Sequence, residues 1–234
     1  MSLGIEVSDL VAGWGPTTVL DSISLAVPPG GTLAVLGRNG AGKTTLLATI
    51  MGLATRHRGL IRLGGEPIDT LPTHRRARLG LGFVPQEREI FSSLTVEENL
   101  AVAALRGGWA PARIFALFPA LAERRRTTGN RLSSGEQQML AIARALVGGP
   151  RLLLLDEPLE GLAPIVVETL FAALAAIRDD IGLTMMLAEQ KADLALSFAV
   201  DAVVLERGRV AFRGKSADFQ ADQALQHRLL ALGA

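Results

Sequence analysis

The sequence of 234 residues contains no cysteine, and only three of its 24 basic residues are lysines. Without cysteine, the chain can form neither disulfides nor a thiol-based active site. Its 23 acidic residues nearly balance the basic ones, so it lacks the excess positive charge that is typical of nucleic-acid-binding surfaces. No apolar run approaches the roughly 18 residues of a membrane-spanning helix. We therefore expect neither a nucleic-acid partner nor a membrane span.

Apolar residues nevertheless make up 49% of the chain, a high share for an enzyme with a polar surface. We expect partner proteins to cover part of this apolar surface. The first residues, 1–6, include an acid and no basic residue, a composition that argues against a signal peptide. The length suits one large α/β domain, or a core with a smaller lobe.

One glycine-rich segment fits the pattern G-x-x-x-x-G-K-[ST], which wraps nucleotide phosphates. The apolar residues 33–36 precede it and the helix-compatible run 45–50 follows, so strand, glycine turn and helix come in the required order. The glycines let backbone N–H groups reach phosphate oxygens, and the helix N-terminus adds positive potential. Lys43 is expected to bridge the β- and γ-phosphates, and the Thr44 hydroxyl to hold Mg²⁺. The segment and the residue after it are Gly37, Arg38, Asn39, Gly40, Ala41, Gly42, Lys43, Thr44 and Thr45.

Two acids end a run of four leucines at 152–155. Such a run suits a strand buried on both faces, whose carboxyl end is where sheets of this class bind ligands. We expect Asp156 to organise Mg²⁺ and Glu157 to orient or deprotonate the attacking water. A strand that merely ends in exposed acids is the structural alternative.

A second glycine-containing segment precedes a predicted helix at 136–147. Ser133 and Glu136 have the spacing of a capping box, so the segment has a purely structural interpretation as a helix start. In the functional interpretation, Ser133 and Gly135 present N–H groups and the helix dipole to an anion. The residues of this segment are Leu132, Ser133, Ser134, Gly135, Glu136 and Gln137.

The hydrophobic pattern predicts an α/β fold: a P-loop NTPase core with an antiparallel β subdomain and an inserted helical subdomain. Strands are predicted at 5–7, 23–27, 60–63, 152–155 and 183–188. Helices are predicted at 95–105, 111–118, 136–147 and 164–177. We expect one nucleotide-binding domain over 1–234, with the helical subdomain at about 87–150.

The order and spacing of these segments resemble the ATP-binding subunit of ABC transporters, across nearly the whole chain. This resemblance implies ATP and Mg²⁺ as cofactors, and it makes residues 132–137 the signature motif, which contacts the γ-phosphate on the P-loop of a second subunit. It implies that Trp14 stacks on adenine. It also implies that Gln86 contacts Mg²⁺ or water and senses the membrane partner, and that residues 161–163 cross the dimer interface.

Two positions depart from the family pattern. Ser134 replaces a glycine of the signature and adds a Cβ beside the phosphate path, which either slows closure or is harmless. Glu189-Gln190 occupies the place of the family's switch histidine. Gln190 can donate a hydrogen bond to the γ-phosphate but cannot become charged.

The segments 88–91, 94–100, 160–164 and 189–190 resemble the second ATPase of branched-chain amino-acid importers, in which glutamine at the switch position is usual. This resemblance implies a hetero-dimer with a second ATPase, the alternative being a homodimer of the isolated chain. It also implies two permeases, contacted through residues 87–125 at the cytoplasmic face of the membrane, and an extracellular solute-binding protein. Alternatives are a urea or short-amide importer, a lipopolysaccharide exporter, a soluble ABC ATPase of ribosomes or DNA, and a P-loop kinase.

Overall fold

The computed structural model of the protein describes residues 2–105 and 107–230. The strands in this part of the chain are β1 (Ile5–Trp14), β2 (Thr17–Val27), β3 (Thr32–Leu36), β4 (Thr55–Leu63), β5 (Glu66–Pro67), β6 (Leu81–Val84), β7 (Leu152–Asp156), β8 (Thr184–Glu189), β9 (Asp201–Glu206) and β10 (Arg209–Lys215). The helices are α1 (Lys43–Met51), α2 (Thr73–Arg78), α3 (Val96–Ala103), α4 (Pro111–Leu117), α5 (Pro119–Glu123), α6 (Ser134–Val147), α7 (Pro164–Ile181), α8 (Ala192–Phe198), α9 (Ser216–Ala221) and α10 (Gln223–Leu230). A short 3₁₀ helix covers Gly129–Arg131.

The larger of two sheets has the strand order β10-β9-β3-β8-β7-β6 and is parallel except for the antiparallel pair β9–β10. Every residue of β3, β7 and β8 is buried, as expected for apolar strands covered on both faces. In the strand register, Leu36 lies beside Glu189, and Asp156 lies beside Ala188. The glycine-rich segment and the acids of β7 and β8 therefore emerge at the same edge of the sheet.

The smaller sheet is antiparallel, with the order β2-β1-β4-β5. β1 and β2 form a hairpin in which Trp14 pairs with Thr17 across a turn at Gly15, whose φ is 55°. A Cβ at Gly13 would lie 1.8 Å from the carbonyl oxygen of Thr17, so only glycine fits beside this tryptophan. The hairpin fixes Trp14 at the end of its strand.

The helices α3–α6 lie between β6 and β7 in the chain. Helix α6 buries Leu140, Ile142 and Leu146 in one of two apolar clusters, while the other cluster joins α1 to the antiparallel sheet. Asn99 is fully buried at the start of this lobe. Its amide donates hydrogen bonds to the carbonyls of Phe91, Leu94 and Thr95 and accepts one from the N–H of Phe91. The segment leading into the lobe is thereby fixed to α3.

The predicted α/β class is confirmed, and the predicted elements are found with shifted bounds. The helix predicted at 111–118 ends at Leu117, because Pro119 begins a separate helix, α5, as is usual for proline in a first turn. The strand predicted at 5–7 continues to Trp14. The single-domain prediction for 1–234 includes residues 1, 106 and 231–234, which lie outside the described residues.

Candidate active site

The glycine-rich segment leads directly into α1. Gly42 is the N-cap residue, with a left-handed φ of 107°, and no side chain caps the helix. A Cβ at Gly42 would lie 2.6 Å from Cδ2 of Leu20, so the position requires glycine on steric as well as conformational grounds. The first N–H groups of α1 have no acceptor within the helix, and they are available to an anion in the adjoining cleft.

Lys43 is the centre of a short chain of polar contacts. Its ammonium donates to the carbonyl of Gly37 at 2.9 Å and lies 3.1 Å from Oε1 of Glu157. The other carboxylate oxygen, Oε2, accepts a hydrogen bond of 2.7 Å from Nε2 of Gln190. Lys43 and Glu157 are buried, so the ion pair is little screened by water. The structure thus joins three of the predicted site residues in one contact chain.

Asp156, at the end of β7, is 1% exposed. Burial raises its pKa to about 6, although the hydroxyl of Thr44 opposes this shift. Neither carboxylate oxygen accepts a well-formed hydrogen bond from the described residues. A buried carboxylate without donors, next to a hydroxyl, offers the oxygen ligands that Mg²⁺ prefers. The residues therefore fit the predicted metal role.

Two further predicted residues border the same region. Gln86 donates from Nε2 to Oε2 of Glu160 at 2.6 Å. The half-exposed Trp14 donates from its indole nitrogen to the hydroxyl of Thr45 at 3.2 Å, and so its ring lies next to the start of α1. Its exposed fraction of 47% leaves ring surface available for a planar ligand.

An open cleft of about 280 Å³ lies at the start of α1, and neither Trp14 nor Asp156 is among the residues that line it. The residues that line it are Val19, Asn39, Gly40, Gly42, Lys43, Thr44, Thr45, Gln86, Glu157, Glu160 and Gln190. Arg38 and Ala41 instead contribute to a second pocket on the other side of the glycine-rich segment, against residues 205–207. Most of the predicted nucleotide-binding residues therefore share one cleft.

The predicted signature segment occupies a different place. Within the described part of the chain, none of residues 132–137 lines the cleft. Ser133 is the N-cap of α6 and forms a capping box with Glu136: its hydroxyl accepts from the Glu136 N–H at 3.3 Å, and its own N–H donates to Oε2 of Glu136 at 2.7 Å. Ser133 and Ser134 are exposed. The structural interpretation of the S-x-x-E spacing is correct in this structure, and the exposed helix end leaves the functional one open.

A larger residue in place of Gly135 would collide with a neighbouring helix. A Cβ there would lie 2.7 Å from Cγ1 of Val166 on α7. Ser134, by contrast, is exposed, so its side chain meets no such obstacle within the chain.

The residues after Gln86 are tied to helix α6. Arg88 donates from Nε to Oε1 of Gln138 at 3.1 Å. Arg144 donates to the carbonyl of Glu89 and lies over the ring of Phe91, 4.4 Å from its centroid. A displacement of this segment would therefore be transmitted to α6, whose N-terminus carries Ser133.

Sequence reasoning assigned no role to two carboxylates that the structure places at the site, Glu160 and Glu189. Glu189 is 3% exposed at the end of β8, and its Oε1 accepts the N–H of Leu159 at 3.1 Å. Burial raises its pKa to about 7, with Glu157 adding to the shift and the Leu159 N–H opposing it. The signal that singled out Asp156, an acid at the end of a buried strand, applies equally to Glu189.

Among the described residues, no helix combines the length and apolar character that crossing a membrane requires.

A family model described as ABC transporter matches residues 20–160.

Three curated relatives align with most of the chain. It is 40% identical over 223 residues to the probable branched-chain amino acid transport ATP-binding protein LivF of Archaeoglobus fulgidus, covering 93% of this chain and 92% of that protein. It is 42% identical over 206 residues to the high-affinity branched-chain amino acid transport ATP-binding protein BraG of Pseudomonas aeruginosa, covering 84% and 86%. The lipopolysaccharide export system ATP-binding protein LptB of Haemophilus influenzae is 32% identical over 229 residues, covering 95% of both.

Solved structures share the fold. A nucleotide-free ATP-binding cassette from an ABC transporter superposes with a TM-score of 0.83 at 21% identity, covering 99% of this chain and 100% of that one. A dimeric ATP-binding cassette in a post-hydrolysis state, bound to ADP and phosphate, superposes with a TM-score of 0.81 at 22% identity, covering 91% and 98%.

Proposed function

This chain belongs to the ABC transporter family, and on that premise we propose that it is the ATP-hydrolysing subunit of an importer for branched-chain amino acids. The observation that carries the proposal is the contact chain from Lys43 through Glu157 to Gln190, at the mouth of an uncapped helix N-terminus. It places a cation, a carboxylate and an amide where a phosphate would enter.

The glycine-rich segment supplies the binding of the triphosphate. The free N–H groups at the start of α1 and the ammonium of Lys43 are the positive groups that attract the β- and γ-phosphates. Lys43 exchanges its contact with Glu157 for one with phosphate oxygens when ATP binds. Trp14 offers its exposed face to the adenine ring, and such stacking contributes about 1–3 kcal/mol in nucleic-acid systems.

Thr44, Gln86 and Asp156 are the residues proposed to hold Mg²⁺. When bound, the ion neutralises charge that develops on the phosphate oxygens. The buried Asp156 carboxylate, which lacks a well-formed hydrogen bond from the described residues, supports this assignment.

Glu157 is proposed as the general base that accepts a proton from the attacking water. Once ATP has drawn Lys43 away, Oε1 of Glu157 is free to accept that proton, while Oε2 stays bonded to Gln190. Gln190 then holds the carboxylate and donates a hydrogen bond to the γ-phosphate while water adds to the phosphorus and ADP leaves. A base in this position contributes about 10²–10⁴-fold to the rate.

The signature segment is proposed to complete the site of a second ATPase subunit. Residues 132–137 lie outside the cleft of their own chain, and the helix end they form is exposed. An exposed helix N-terminus attracts an anion bound to another molecule. The partner is a second, different ATPase, with a homodimer of this chain as the alternative.

The permeases are proposed to contact residues 87–125 at the cytoplasmic face of the membrane. An apolar groove that includes Leu53, Phe83 and Leu105 borders this segment and supports the assignment. Gln86 lies between the nucleotide cleft and this groove, and Arg88 connects the segment to α6. Movement of a permease would therefore reach both Gln86 and the signature helix.

Branched-chain amino acids are the proposed solute because LivF and BraG, at 40% and 42% identity, carry that transport in their names. A urea or short-amide importer is the second candidate, since the segments 160–164 and 189–190 resemble those importers equally well. The lipopolysaccharide-exporter ATPase is more distant, at 32% identity.

Replacement of the proposed base tests the catalytic part of this function. Glu157→Gln keeps the shape of the side chain and should retain ATP, while steady-state hydrolysis falls by about 10²-fold or more. Glu168→Gln, an exposed acid on α7, is the matched control and should hydrolyse ATP like the wild type. Hydrolysis by Glu157→Gln at the wild-type rate would contradict the role of Glu157.

The solute is tested on the extracellular binding protein of the same transporter. A bound ligand raises the melting temperature according to RT ln(1 + [L]/Kd), so leucine, isoleucine and valine should stabilise that protein. Stabilisation by urea or acetamide, with none by the branched-chain amino acids, would select the second candidate.

A further inference from the structure

Glu189 is a buried carboxylate that the proposed mechanism does not use. It lies at the carboxyl end of β8, paired in register with Leu36, the residue that precedes the glycine-rich segment. Its exposed fraction is 3%. Burial of a carboxylate costs free energy unless hydrogen bonds compensate for the lost water. We therefore ask what the hydrogen bonds of Glu189 hold in place.

Three consecutive residues of the β8 end hold the segment that begins at Glu157. The carbonyl of Ala188 accepts the N–H of Glu157 at 2.9 Å. Oε1 of Glu189 accepts the N–H of Leu159 at 3.1 Å, and Nε2 of Gln190 donates to Oε2 of Glu157 at 2.7 Å. Residues 188–190 therefore fix both the backbone and the carboxylate of Glu157.

The segment that is held has an uncommon backbone conformation. Glu157 has a φ of 46°, in the left-handed region. Residues other than glycine, asparagine and aspartate rarely adopt this conformation. Such a conformation persists only where the surroundings hold it, and it aims the side chain in a direction that a relaxed backbone would not. Loss of one of the three contacts would let the turn relax and move the Glu157 carboxylate.

We propose that Glu189 is a positioning residue for hydrolysis: by accepting the Leu159 N–H, it fixes the turn at residues 157–160 and keeps the Glu157 carboxylate in place. Glu189 does not line the nucleotide cleft, so it acts through Glu157 and leaves nucleotide binding unaffected. This inference rests on the proposed role of Glu157 as the base.

Replacement of the acceptor is the first test. Glu189→Leu removes the acceptor at similar size, and kcat for ATP should fall by about tenfold to a hundredfold, as expected for displacement of a reacting group by about 1 Å. KM for ATP should change less than about threefold, because no nucleotide contact is lost. Glu189→Gln keeps one acceptor oxygen and should restore kcat to within about threefold of the wild type. Glu189→Ala replaces the leucine variant if the latter does not fold, and Glu168→Leu serves as the surface control.

A double-mutant cycle with Glu157→Gln separates positioning from a loss of general stability. In the Glu157→Gln background, Glu189→Leu should lower the remaining hydrolysis by less than about threefold, because the base whose position it secures is already absent.

The proposal is overturned if Glu189→Leu lowers the rate equally in the wild-type and Glu157→Gln backgrounds. It is also overturned if Glu189→Leu has the kcat of the wild type, or if Glu189→Gln is as slow as Glu189→Leu. If Glu157 is not the base, the single variant Glu157→Gln hydrolyses ATP at the wild-type rate. This outcome distinguishes failure of the proposed function from failure of the positioning role.

Discussion

The N-termini of α1 and α6 both carry glycine, yet they are built in opposite ways. Helix α1 begins after Gly42 without any side-chain cap, and its first residue, Lys43, is buried beside Glu157, the acid that follows β7. Helix α6 begins after Ser133 with a complete capping box, and its first residue, Ser134, is exposed. The N-terminus of α1 has no side-chain cap and adjoins the cleft of its own chain. The N-terminus of α6 is capped by Ser133 and Glu136 and is exposed at the surface.

This difference supports the proposed pairing of the chain with a second ATPase subunit. The α1 end has its complement, Glu157 and Gln190, within the same cleft. The α6 end has no such complement from its own chain in that cleft, but its first N–H groups and its dipole remain able to approach an anion. Four substitutions, with progressively smaller predicted consequences, test this contrast.

Lys43→Ala should have the largest effect, because it removes the cation at the α1 end and leaves Glu157 buried without its partner. Loss of the cation that pairs with a buried phosphate costs about 2–5 kcal/mol of binding free energy, so ATP affinity should fall by at least about 30-fold. Equilibrium binding of a fluorescent ATP analogue measures this. Lys215→Ala, which removes an exposed lysine paired with Asp201, is the matched control. Equal affinities of the two variants would contradict the contrast.

Glu189→Gln should change how stability depends on pH. The native state keeps a proton on Glu189 up to its pKa of about 7, whereas the unfolded chain loses that proton near the ordinary value of 4.5. The native state therefore binds more protons in this window, and the free energy of unfolding falls as pH rises. Relative to Glu189→Gln, the wild type should lose on the order of 3 kcal/mol between those pH values.

Urea unfolding of the nucleotide-free proteins at a series of pH values measures this difference. Asp156, whose pKa is also raised, contributes a slope of the same sign to both proteins and cancels in the comparison. Parallel stability curves for the wild type and Glu189→Gln would contradict the prediction.

Ser133→Ala removes the cap of α6 and should cost about 1 kcal/mol of stability. ATP binding by the isolated chain should not change, because Ser133 lies outside the cleft, but hydrolysis by the assembled pair should fall. Thr95→Ala is the matched control, since Thr95 forms the same capping box at the start of α3. Thermal melting should show similar losses for both, and steady-state hydrolysis should fall only in Ser133→Ala.

Ser134→Gly should have the smallest effect, less than about threefold on hydrolysis, because surface changes without lost contacts cost under about 0.5 kcal/mol. Gly135→Ser is the contrasting variant, since its Cβ would lie 2.7 Å from Val166. A tenfold faster Ser134→Gly enzyme in the same hydrolysis assay would show that the Ser134 side chain obstructs closure.

The sequence predicted the parts of the site that depend on local pattern. Lys43 and Thr44 belong to a contiguous motif, and Asp156 and Glu157 end a run of leucines that suits a strand buried on both faces. The contacts between Gln190 and Glu157, and between Glu189 and Leu159, could not be predicted in this way. They join residues about 30 positions apart, and they depend on β7 and β8 being neighbours in the sheet.

The bounds of the helices and strands were likewise predicted best where they depend on local sequence pattern. Helix α6 was predicted almost to the residue from its capping box and apolar period. Helix α4 ends one residue before the predicted bound of 118, and α5, which begins at Pro119, received no prediction. Strands β9 and β10 received no prediction, although residues 202–205 of β9 form an apolar run like that of β7. The place of β10 beside β9 follows from tertiary pairing.

The central claim is that one ATP is held between the glycine-rich segment of one subunit and the signature of another. The decisive measurement is a structure of Glu157→Gln with ATP, purified together with its partner ATPase subunit. We predict the triphosphate against residues 37–45 of this chain, with the signature helix of the partner at its γ-phosphate, and Ser133 of this chain at the nucleotide of the partner. A triphosphate bound elsewhere, or one contacted by a single subunit in a fully ATP-loaded assembly, would contradict the account.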